Sequence, residues 1–325
     1  MDLFTKVTTI LVALIAIVYA IFSHYPVPPV SPIMYQWKTW GSFLTHKKFN
    51  IFYIDKQINN GTKTLVCLHG FPTSSFDYFK AYPYLIKSFD RIIFIDFLGM
   101  GYSDKPTGHS YSIMEQADIV QAVLNHIKVD AFHLLAHDYG DTVTQELLAR
   151  IKEDGLQLPI KSVSLMNGGI FPAIHSPLLI QRLLHLPVIG FFLGKLNNKY
   201  TFAINLNRVF GSGTSPTMAE FYDFWAIVRQ NHGYRVFGEI LSYLDERYEH
   251  EDRWVSATKN TKIPLQFIYG PADPVNPAPF EEMYHKLIPN QYFDKLDDNI
   301  GHYPHFEAPE EVVKRLNQFL KKKGF

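Results

Sequence analysis

The sequence has little cysteine and no surplus of charge of either sign. Its 325 residues include one cysteine, so an internal disulfide is excluded. Cys67 lies in the apolar run from Leu65 to Leu68, which predicts a buried core thiol, because reactive thiols need an accessible and electropositive setting. Lysine plus arginine and aspartate plus glutamate number 31 each, so charge indicates neither a nucleic-acid partner nor disorder.

Motifs that hold cofactors or metals are also missing from the sequence. There is no P-loop, no Gly-x-Gly-x-x-Gly after a strand and no Cys/His spacing of the zinc type. No internal repeat appears, and the only biased segment is rich in proline. We therefore expect no cofactor and no metal.

Apolar residues are abundant, and one run of them stands at the N-terminus. From Val7 to Ser23 no side chain is charged. The length of this uncharged run is at the lower edge of the roughly 17–25 residues that span a bilayer as a helix. We predict an uncleaved anchor over 1–23, which enters the lipid bilayer through residues 7–23, and a Pro-rich linker over 24–36. A signal peptide cleaved after Ala20 is the alternative.

Short apolar runs that end in turn residues alternate with amphipathic patterns along the rest of the chain. The runs predict parallel strands and the patterns predict helices, which is typical of an α/β protein with a doubly wound, mostly parallel sheet. Strands are predicted at 64–70, 91–97, 132–138, 161–169, 265–271 and 291–296, and helices at 112–127, 142–151 and 309–323. The segment 171–255 lacks this rhythm and is aromatic and leucine-rich. We interpret it as a helical cap inserted after the sixth strand into a core of 37–170 and 256–325.

One short stretch has two readings. Asn60-Gly61-Thr62 fits an N-glycosylation sequon. It equally fits a two-residue hairpin turn between 50–57 and 62–70, because Asn-Gly favours such turns.

Three residues of the right chemistry follow predicted strands. Asp138 has Ala136 and Gly140 around it where a strand becomes a helix, which is the pattern of a nucleophile elbow. Asp273 and His302 follow two later strands. Each alone is more often a helix cap or a structural histidine, but the order Asp138, Asp273, His302 predicts nucleophile, orienting acid and base.

A fourth element is the loop His69 to Pro72, which follows the first of these strands. Its backbone can turn toward Asp138, so the amides of Phe71 and Tyr139 are predicted to form an oxyanion hole. A plain strand-to-helix turn would also explain Gly70 and Pro72.

The motifs HGFPTSSFDY, DFLGMGYSDKP, HDYG, IYGPADPVNP and GHYPHFE together resemble the α/β-hydrolases of the epoxide hydrolase and haloalkane dehalogenase group. With NGGIFP and DERYEHEDRWV the chain is most similar to the mesoderm-specific transcript proteins within that group. The resemblance runs from about Trp37 to the C-terminus. It implies an α/β-hydrolase fold with a cap, a single N-terminal membrane segment and a location in the endoplasmic reticulum membrane.

An aspartate nucleophile indicates the kind of bond that is attacked. A carboxylate that attacks saturated carbon forms an alkyl ester, which water can open, whereas attack on an ester would form an anhydride. We therefore expect an epoxide-hydrolase-like enzyme for a small lipophilic substrate, with His302 activating water and Glu307 supporting it. The dehalogenase resemblance places side-chain N–H donors at 71 and 139, but Phe71 and Tyr139 supply neither an indole nor an amide.

An epoxide oxygen needs an acidic hydroxyl, and the cap offers several tyrosines. Tyr243 is our first choice among Tyr200, Tyr222, Tyr234, Tyr243 and Tyr248. Trp225 is predicted to line the pocket or to pack the cap on the core. Two alternatives remain at this point: an enzyme acting on lipid esters, and a non-catalytic scaffold that binds a lipid or a protein.

Overall fold

The computed structural model describes residues 2–24, 29–153 and 155–325, and a single sheet organises them. Its eight strands are β1 (Gly41–His46), β2 (Phe49–Gln57), β3 (Thr64–Leu68), β4 (Arg91–Ile95), β5 (Phe132–His137), β6 (Ile160–Met166), β7 (Leu265–Tyr269) and β8 (Tyr292–Lys295). They lie in the order β1-β2-β4-β3-β5-β6-β7-β8. β2 is antiparallel to both neighbours and the other pairs are parallel.

The central strands are short and apolar because both of their faces are covered. Every residue of β3, β5 and β7 is buried, and Cys67 has no exposed surface, as predicted. Burial raises the pKa of the Cys67 thiol well above its ordinary value, so it is an inert core group. The six predicted strands are confirmed to within a few residues at their ends.

Helices cover both faces of the sheet. The core helices are α2 (Pro32–Thr39), α3 (Tyr82–Leu85), α4 (Ile113–His126), α5 (Tyr139–Glu153), α13 (Pro279–Leu287), α14 (Pro304–Glu307) and α15 (Pro309–Lys322). Between β6 and β7 the chain forms α6 (Leu179–His185), α7 (Pro187–Leu196), α8 (Lys199–Asn207), α9 (Met218–Arg229), α10 (Phe237–Ile240), α11 (Tyr243–Glu249) and α12 (Glu251–Asn260). The insertion thus follows the sixth strand, as expected.

The predicted end of the cap at 255 falls inside α12. Trp254 donates its indole N–H to Glu146 on α5 at 2.8 Å, and Gln145 of α5 donates to Thr258 at 3.2 Å. Because α12 packs along α5, this helix belongs with the core, and α6 to α11 make up the cap.

The hairpin interpretation of Asn60-Gly61 is wrong. β2 pairs with β4 and not with β3, because β4 inserts between them in the sheet. Neither Asn60 nor Gly61 has the positive φ that a two-residue type I′ turn requires.

The N-terminal region is only partly as predicted. α1 (Leu3–His24) is a continuous helix, and its segment Leu3–Ile21 is long and apolar enough to cross a membrane, with none of it buried in the protein. The predicted linker is shorter than 24–36, because α2 begins at Pro32 and buries Met34. Residues 25–28 of that linker lie outside the described residues.

Candidate active site

The turn between β5 and α5 carries Asp138. Its φ is +48°, a left-handed conformation that non-glycine residues seldom adopt. Gly140 makes the bend possible, because a Cβ there would lie 2.8 Å from the carbonyl oxygen of Leu68. The backbone amide of Gly140 donates to the carbonyl of His69 at 3.1 Å. The sequence pattern of a nucleophile elbow is thus realised as a sharp turn above the sheet.

His302 and Asp273 lie next to this turn. His302 Nδ1 is 2.8 Å from Asp273 Oδ2, and His302 Nε2 is 4.0 Å from Asp138 Oδ1. Asn167 and Asn276 each donate an amide N–H to Asp273 Oδ2, at 3.0 and 2.9 Å. Asp273 is therefore an ionised acceptor that fixes the imidazole, and the other ring nitrogen lies beside the predicted nucleophile, at a distance too long for a direct hydrogen bond.

Charge compensation sets the protonation of these three groups. Burial alone would raise the pKa of Asp138, but the charges of His302 and Arg247 outweigh it and hold that pKa below its ordinary value. Burial likewise opposes ionisation of Asp273, yet His302 and the amide donors lower its pKa. For His302 burial would lower the pKa, but Asp273 raises it above the ordinary value.

The loop after β3 brings one of the predicted amide donors to Asp138. The backbone N–H of Phe71 donates to Asp138 Oδ2 at 3.0 Å. Gly70 is required there, because a Cβ would lie 2.6 Å from His137 Nδ1 and 2.9 Å from Asp138 Cβ. His69 stabilises the loop, since its Nδ1 contacts the Gly70 carbonyl at 2.8 Å and its Nε2 accepts from the amide of Phe97 at 3.1 Å. Tyr139, the second predicted donor, is the first residue of α5.

Arg247 is a buried cation that our sequence reasoning missed. It lies on α11 with its Nη2 3.5 Å from Asp138 Oδ1 and 3.4 Å from the Asp138 carbonyl oxygen. Its Nε donates to Thr142 at 2.9 Å, and its Nη1 lies 3.2 Å from His175 Nε2. A cap helix therefore supplies a positive charge to the predicted nucleophile, and nothing local in the sequence distinguishes this arginine from its exposed neighbours.

Tyr243 lies beside the same carboxylate. It has no exposed surface, and its ring packs against Phe71 and Tyr139 and lies under the Arg247 guanidinium, 4.5 Å away. Its hydroxyl has no hydrogen-bond partner of normal geometry among the described residues. Burial first, and then the charge of Asp138, raise its pKa. The hydroxyl is therefore a neutral donor with an unused proton.

A cavity of about 260 Å³ opens between the core and the cap. Its wall is mostly aliphatic and aromatic and includes Phe71, His302 and Tyr303 next to the elbow. Neither Asp138 nor Tyr243, which we predicted as a pocket residue, lines the cavity, and they are 3% and 0% exposed. Both lie behind its wall, next to Phe71. Tyr303, which we did not single out from the sequence, donates its hydroxyl to the carbonyl of Phe71 at 3.3 Å.

Trp225 is not among the residues that line this cavity. Its ring packs against Phe202 and Tyr234 within the cap and is 3% exposed. The prediction that Trp225 lines the pocket is therefore wrong, because α9 turns this indole toward the neighbouring cap helix. Pro72, by contrast, lies in the wall beside Phe71.

Glu307 joins the histidine loop to the cap. Its carboxylate accepts from the backbone amides of Gly301, Tyr303 and Gly211, at 2.9, 2.9 and 2.8 Å, and from the hydroxyl of Thr214. Gly301 and Tyr303 flank His302, so this one side chain orients the loop on which the predicted base lies.

A separate cluster of three buried polar side chains lies behind the turn that carries Asp138. Asp77, His137 and His305 bring ligand atoms within 4.8 Å of one another, and each retains a ring nitrogen or carboxylate oxygen without a partner among the described residues. Burial lowers the pKa of His137 to about 3 and raises that of Asp77 well above its usual range. His137 Nε2 lies 2.7 Å from the carbonyl oxygen of His302, so the group also braces the histidine loop.

Similar proteins share this architecture. The profile of the α/β hydrolase fold family matches residues 63–309. The mesoderm-specific transcript protein of Mus musculus is 46% identical over 293 residues, which is 88% of each chain. The putative hydrolase LipZ of Mycobacterium tuberculosis is 34% identical over 88% of this chain and 97% of its own. Among solved structures, a putative epoxide hydrolase from Klebsiella pneumoniae superposes with a TM-score of 0.70 at 16% identity, covering 87% of this chain and 98% of its own.

The fold expected from the sequence is thus confirmed, and so is the resemblance on which it partly rested. The solved structure is too distant in sequence to carry more than the fold, but the two curated relatives are similar over most of their length. The chain belongs to the α/β-hydrolase fold family, and within it its sequence groups with the mesoderm-specific transcript proteins.

Proposed function

We propose that this hydrolase uses Asp138 as a covalent nucleophile and opens an epoxide on a lipophilic substrate. The observation that carries the proposal is the arrangement of Asp138, His302 and Asp273: His302 lines the apolar cavity, its Nε2 lies 4.0 Å from Asp138 Oδ1, and its Nδ1 lies 2.8 Å from Asp273 Oδ2. Serine is absent from the elbow. A carboxylate in that place suits attack on saturated carbon.

In the first step an Asp138 carboxylate oxygen forms a bond to an epoxide carbon. The carbon–oxygen bond of the ring breaks, and the departing oxygen takes the proton of the Tyr243 hydroxyl. Arg247 lies over the Tyr243 ring and beside Asp138, so it favours the tyrosinate that results. The product is an alkyl ester of Asp138 that carries a neighbouring hydroxyl.

In the second step His302 Nε2 removes a proton from water, and the hydroxide adds to the carbonyl carbon of the ester. The developing oxyanion is held by the amides of Phe71 and Tyr139; loss of one such donor costs roughly 3–4 kcal/mol in comparable sites. Collapse of the intermediate breaks the ester and releases a diol. The alcohol oxygen takes the proton from His302. Asp138 is left as a carboxylic acid, and its proton passes through solvent to the tyrosinate, which regenerates both the carboxylate and the Tyr243 hydroxyl.

A carbon–halogen substrate is the poorer fit. The side chain of Phe71 has no donor, and the hydroxyl of Tyr139 is directed to the carbonyl of Tyr111 at 3.3 Å. A departing halide would therefore lack the paired N–H donors that the dehalogenase resemblance implies. Tyr243 and Arg247 supply donors better suited to an oxygen leaving group.

The apolar cavity and α1 together favour a substrate from the lipid phase. We further propose that α1 is an uncleaved, single-pass anchor and that the protein resides in the endoplasmic reticulum membrane. The anchor is supported by the continuous apolar helix Leu3–Ile21. The organelle rests on the resemblance alone.

The decisive experiment is to trap the ester. His302→Gln incubated with a styrene-oxide-type probe should accumulate a mass gain equal to the probe on the peptide that contains Asp138, because alkylation proceeds and hydrolysis does not. Wild type should turn the probe over. Asp138→Asn should do neither. Labelling of a different residue, or turnover by Asp138→Asn, would overturn the proposal.

Assays with lipid esters and with bound ligand distinguish the two alternative functions. Acyl esters of lipids should give no acyl adduct on Asp138, and turnover of such esters by wild type would favour the lipid-ester enzyme. Ligand binding by wild type and His302→Gln without any adduct would favour the non-catalytic scaffold.

A further inference from the structure

The cap exposes an unusual number of large apolar side chains. Nine residues of α6, α7, α8 and the turn between α6 and α7 are 44–71% exposed, and we call them the cap face: Leu179, Leu186, Val188, Ile189, Phe191, Phe192, Leu196, Tyr200 and Ile204. Large apolar side chains exposed together on neighbouring elements are typical of an interaction site.

The packing of α7 shows that this exposure is built into the helix. Its buried positions are two glycines, Gly190 and Gly194. A Cβ on Gly194 would lie 2.7 Å from the carbonyl oxygen of Tyr234, and one on Gly190 would clash with that of Leu184. Small residues therefore face the protein while Phe191 and Phe192 face outward. A surface helix that faces water has the opposite arrangement, with its large apolar side chains toward the protein. Small residues toward the protein and large apolar residues outward are typical of helices that face lipid.

The cap face adjoins the N-terminal helix. The ammonium group of Lys195 on α7 lies 5.2 Å from the centre of the Tyr19 ring on α1, and 3.6 Å from that of Phe191. α1 is the helix that can cross a membrane, so the surface next to it lies at the same bilayer. Lys195 and Lys199 are placed to keep their charges at the headgroups while their carbon stems lie along apolar surface.

The shape of the cap face distinguishes lying in the membrane from spanning it. α6 and α7 have seven and ten residues and meet at a bend of 116°. A spanning helix needs about 20 residues, so neither can cross. Short amphipathic helices instead lie in the interface, with apolar side chains about 5–10 Å into the headgroup and acyl boundary.

We propose that the cap face is inserted into the surface of the bilayer in which α1 is anchored, and that the active-site cavity draws its substrate from that bilayer. The same helices form both surfaces: Leu184, Leu193 and Leu196 of α6 and α7 line the cavity. A lipid-dissolved molecule therefore meets the cavity wall without crossing bulk water. The docking stands on the cap face and α1 alone, while the route for the substrate rests on the proposed function.

The test uses the full chain in phosphatidylcholine vesicles. Cys67 is completely buried, so a single introduced cysteine can carry an environment-sensitive fluorophore. Val188→Cys and Phe192→Cys report on the cap face. Ile10→Cys in α1 is the positive control, and Phe43→Cys on β1, also an exposed apolar position, is the matched negative control.

Labels at Val188→Cys and Phe192→Cys should be quenched by nitroxide lipids, as at Ile10→Cys, and should be protected from aqueous iodide. The label at Phe43→Cys should show the opposite pattern. Equal iodide quenching at Phe192→Cys and Phe43→Cys would overturn the proposal. So would protection from iodide without lipid quenching, which would assign the cap face to a protein partner.

A second measurement tests the route for the substrate separately. Phe191→Ser/Phe192→Ser should lower turnover of an epoxide partitioned into vesicles and leave turnover of a water-soluble epoxide unchanged. If lipid quenching is seen but no epoxide is turned over by wild type, the docking holds and the proposed function fails. Equal loss with both substrates would contradict the route.

Discussion

The core and the cap of this protein differ in which side chains they bury and which they expose. The core buries the carboxylates of the candidate site and pairs them: Asp273 with His302, and Asp138 with Arg247 of α11. The cap leaves large apolar side chains such as Phe192 outside. The contrast teaches that the two regions are adapted to different surroundings. One fixes charges in a water-poor site, where they act strongly, and the other meets an apolar medium.

The largest expected effect comes from breaking a charge pair in the core. Asp273→Asn should slow hydrolysis of the alkyl ester on the order of 10⁴-fold, because an amide in this position does not hold the base in the correct tautomer. Alkylation should persist, so the ester should accumulate in mass spectra. Asp298→Asn, at a 92% exposed carboxylate in the neighbouring loop, is the control and should behave like wild type.

The next largest effect comes from Arg247, the cap residue that supplies a positive charge to Asp138. Arg247→Met should destabilise the protein by about 3–5 kcal/mol in urea unfolding, since it leaves a buried carboxylate without its partner. Because Arg247 lowers the pKa of Asp138, that pKa should rise in the variant, and the acid limb of the alkylation rate should move to higher pH. Arg247→Lys keeps the positive charge, so the acid limb of its alkylation rate should return part of the way toward the pH at which it lies in the wild type. An unmoved limb in Arg247→Met would show that Arg247 is structural only.

A smaller effect follows from pH in the wild type. In the mechanism that we propose, hydrolysis needs neutral His302, whose pKa is raised by Asp273, while alkylation needs ionised Asp138, whose pKa is lowered. As pH falls below the pKa of His302, hydrolysis should slow by about tenfold per unit while alkylation continues. Rapid-quench measurements should then find more ester at acidic pH. Parallel decline of both steps would contradict this assignment.

The smallest effect is expected at the cap face, and it sharpens the comparison most directly. Phe192→Ala removes a ring that is 59% exposed and should change the free energy of unfolding by no more than about 0.5 kcal/mol in detergent. Phe267→Ala removes a ring with no exposed surface in β7 and should cost about 3–5 kcal/mol. Similar losses in the two variants would mean that the cap face is packed against protein.

Much of the fold could be predicted because it depends on local pattern. Fully buried strands such as β3 and β7 are continuous apolar runs, and their lengths and ends are visible in the residues themselves. The pairing of β2 could not be predicted in the same way. A turn-forming Asn-Gly pair suggested β3 as the partner of β2, whereas β4, which comes later in the chain, lies between them in the sheet.

The residues of the candidate site also differ in whether local sequence pattern could predict their positions. Asp138, Asp273 and His302 could be proposed from their order, because each follows a strand and the ends of parallel strands meet at one edge of a sheet. Trp225 was misplaced because a helix can turn a given side chain to several neighbours. Tyr303 was overlooked because its neighbour His302 carried the motif.

The sequence by itself determined the family, the proposed nucleophile and the apolar character of α1, since these depend on residue type, order and short-range spacing. Only the tertiary structure decided that Arg247 meets Asp138, 109 positions earlier in the chain, and that α7 turns its glycines inward and its phenylalanines outward. The physical reason is that contacts between distant segments are set by how whole helices pack, and packing is a property of the assembled chain.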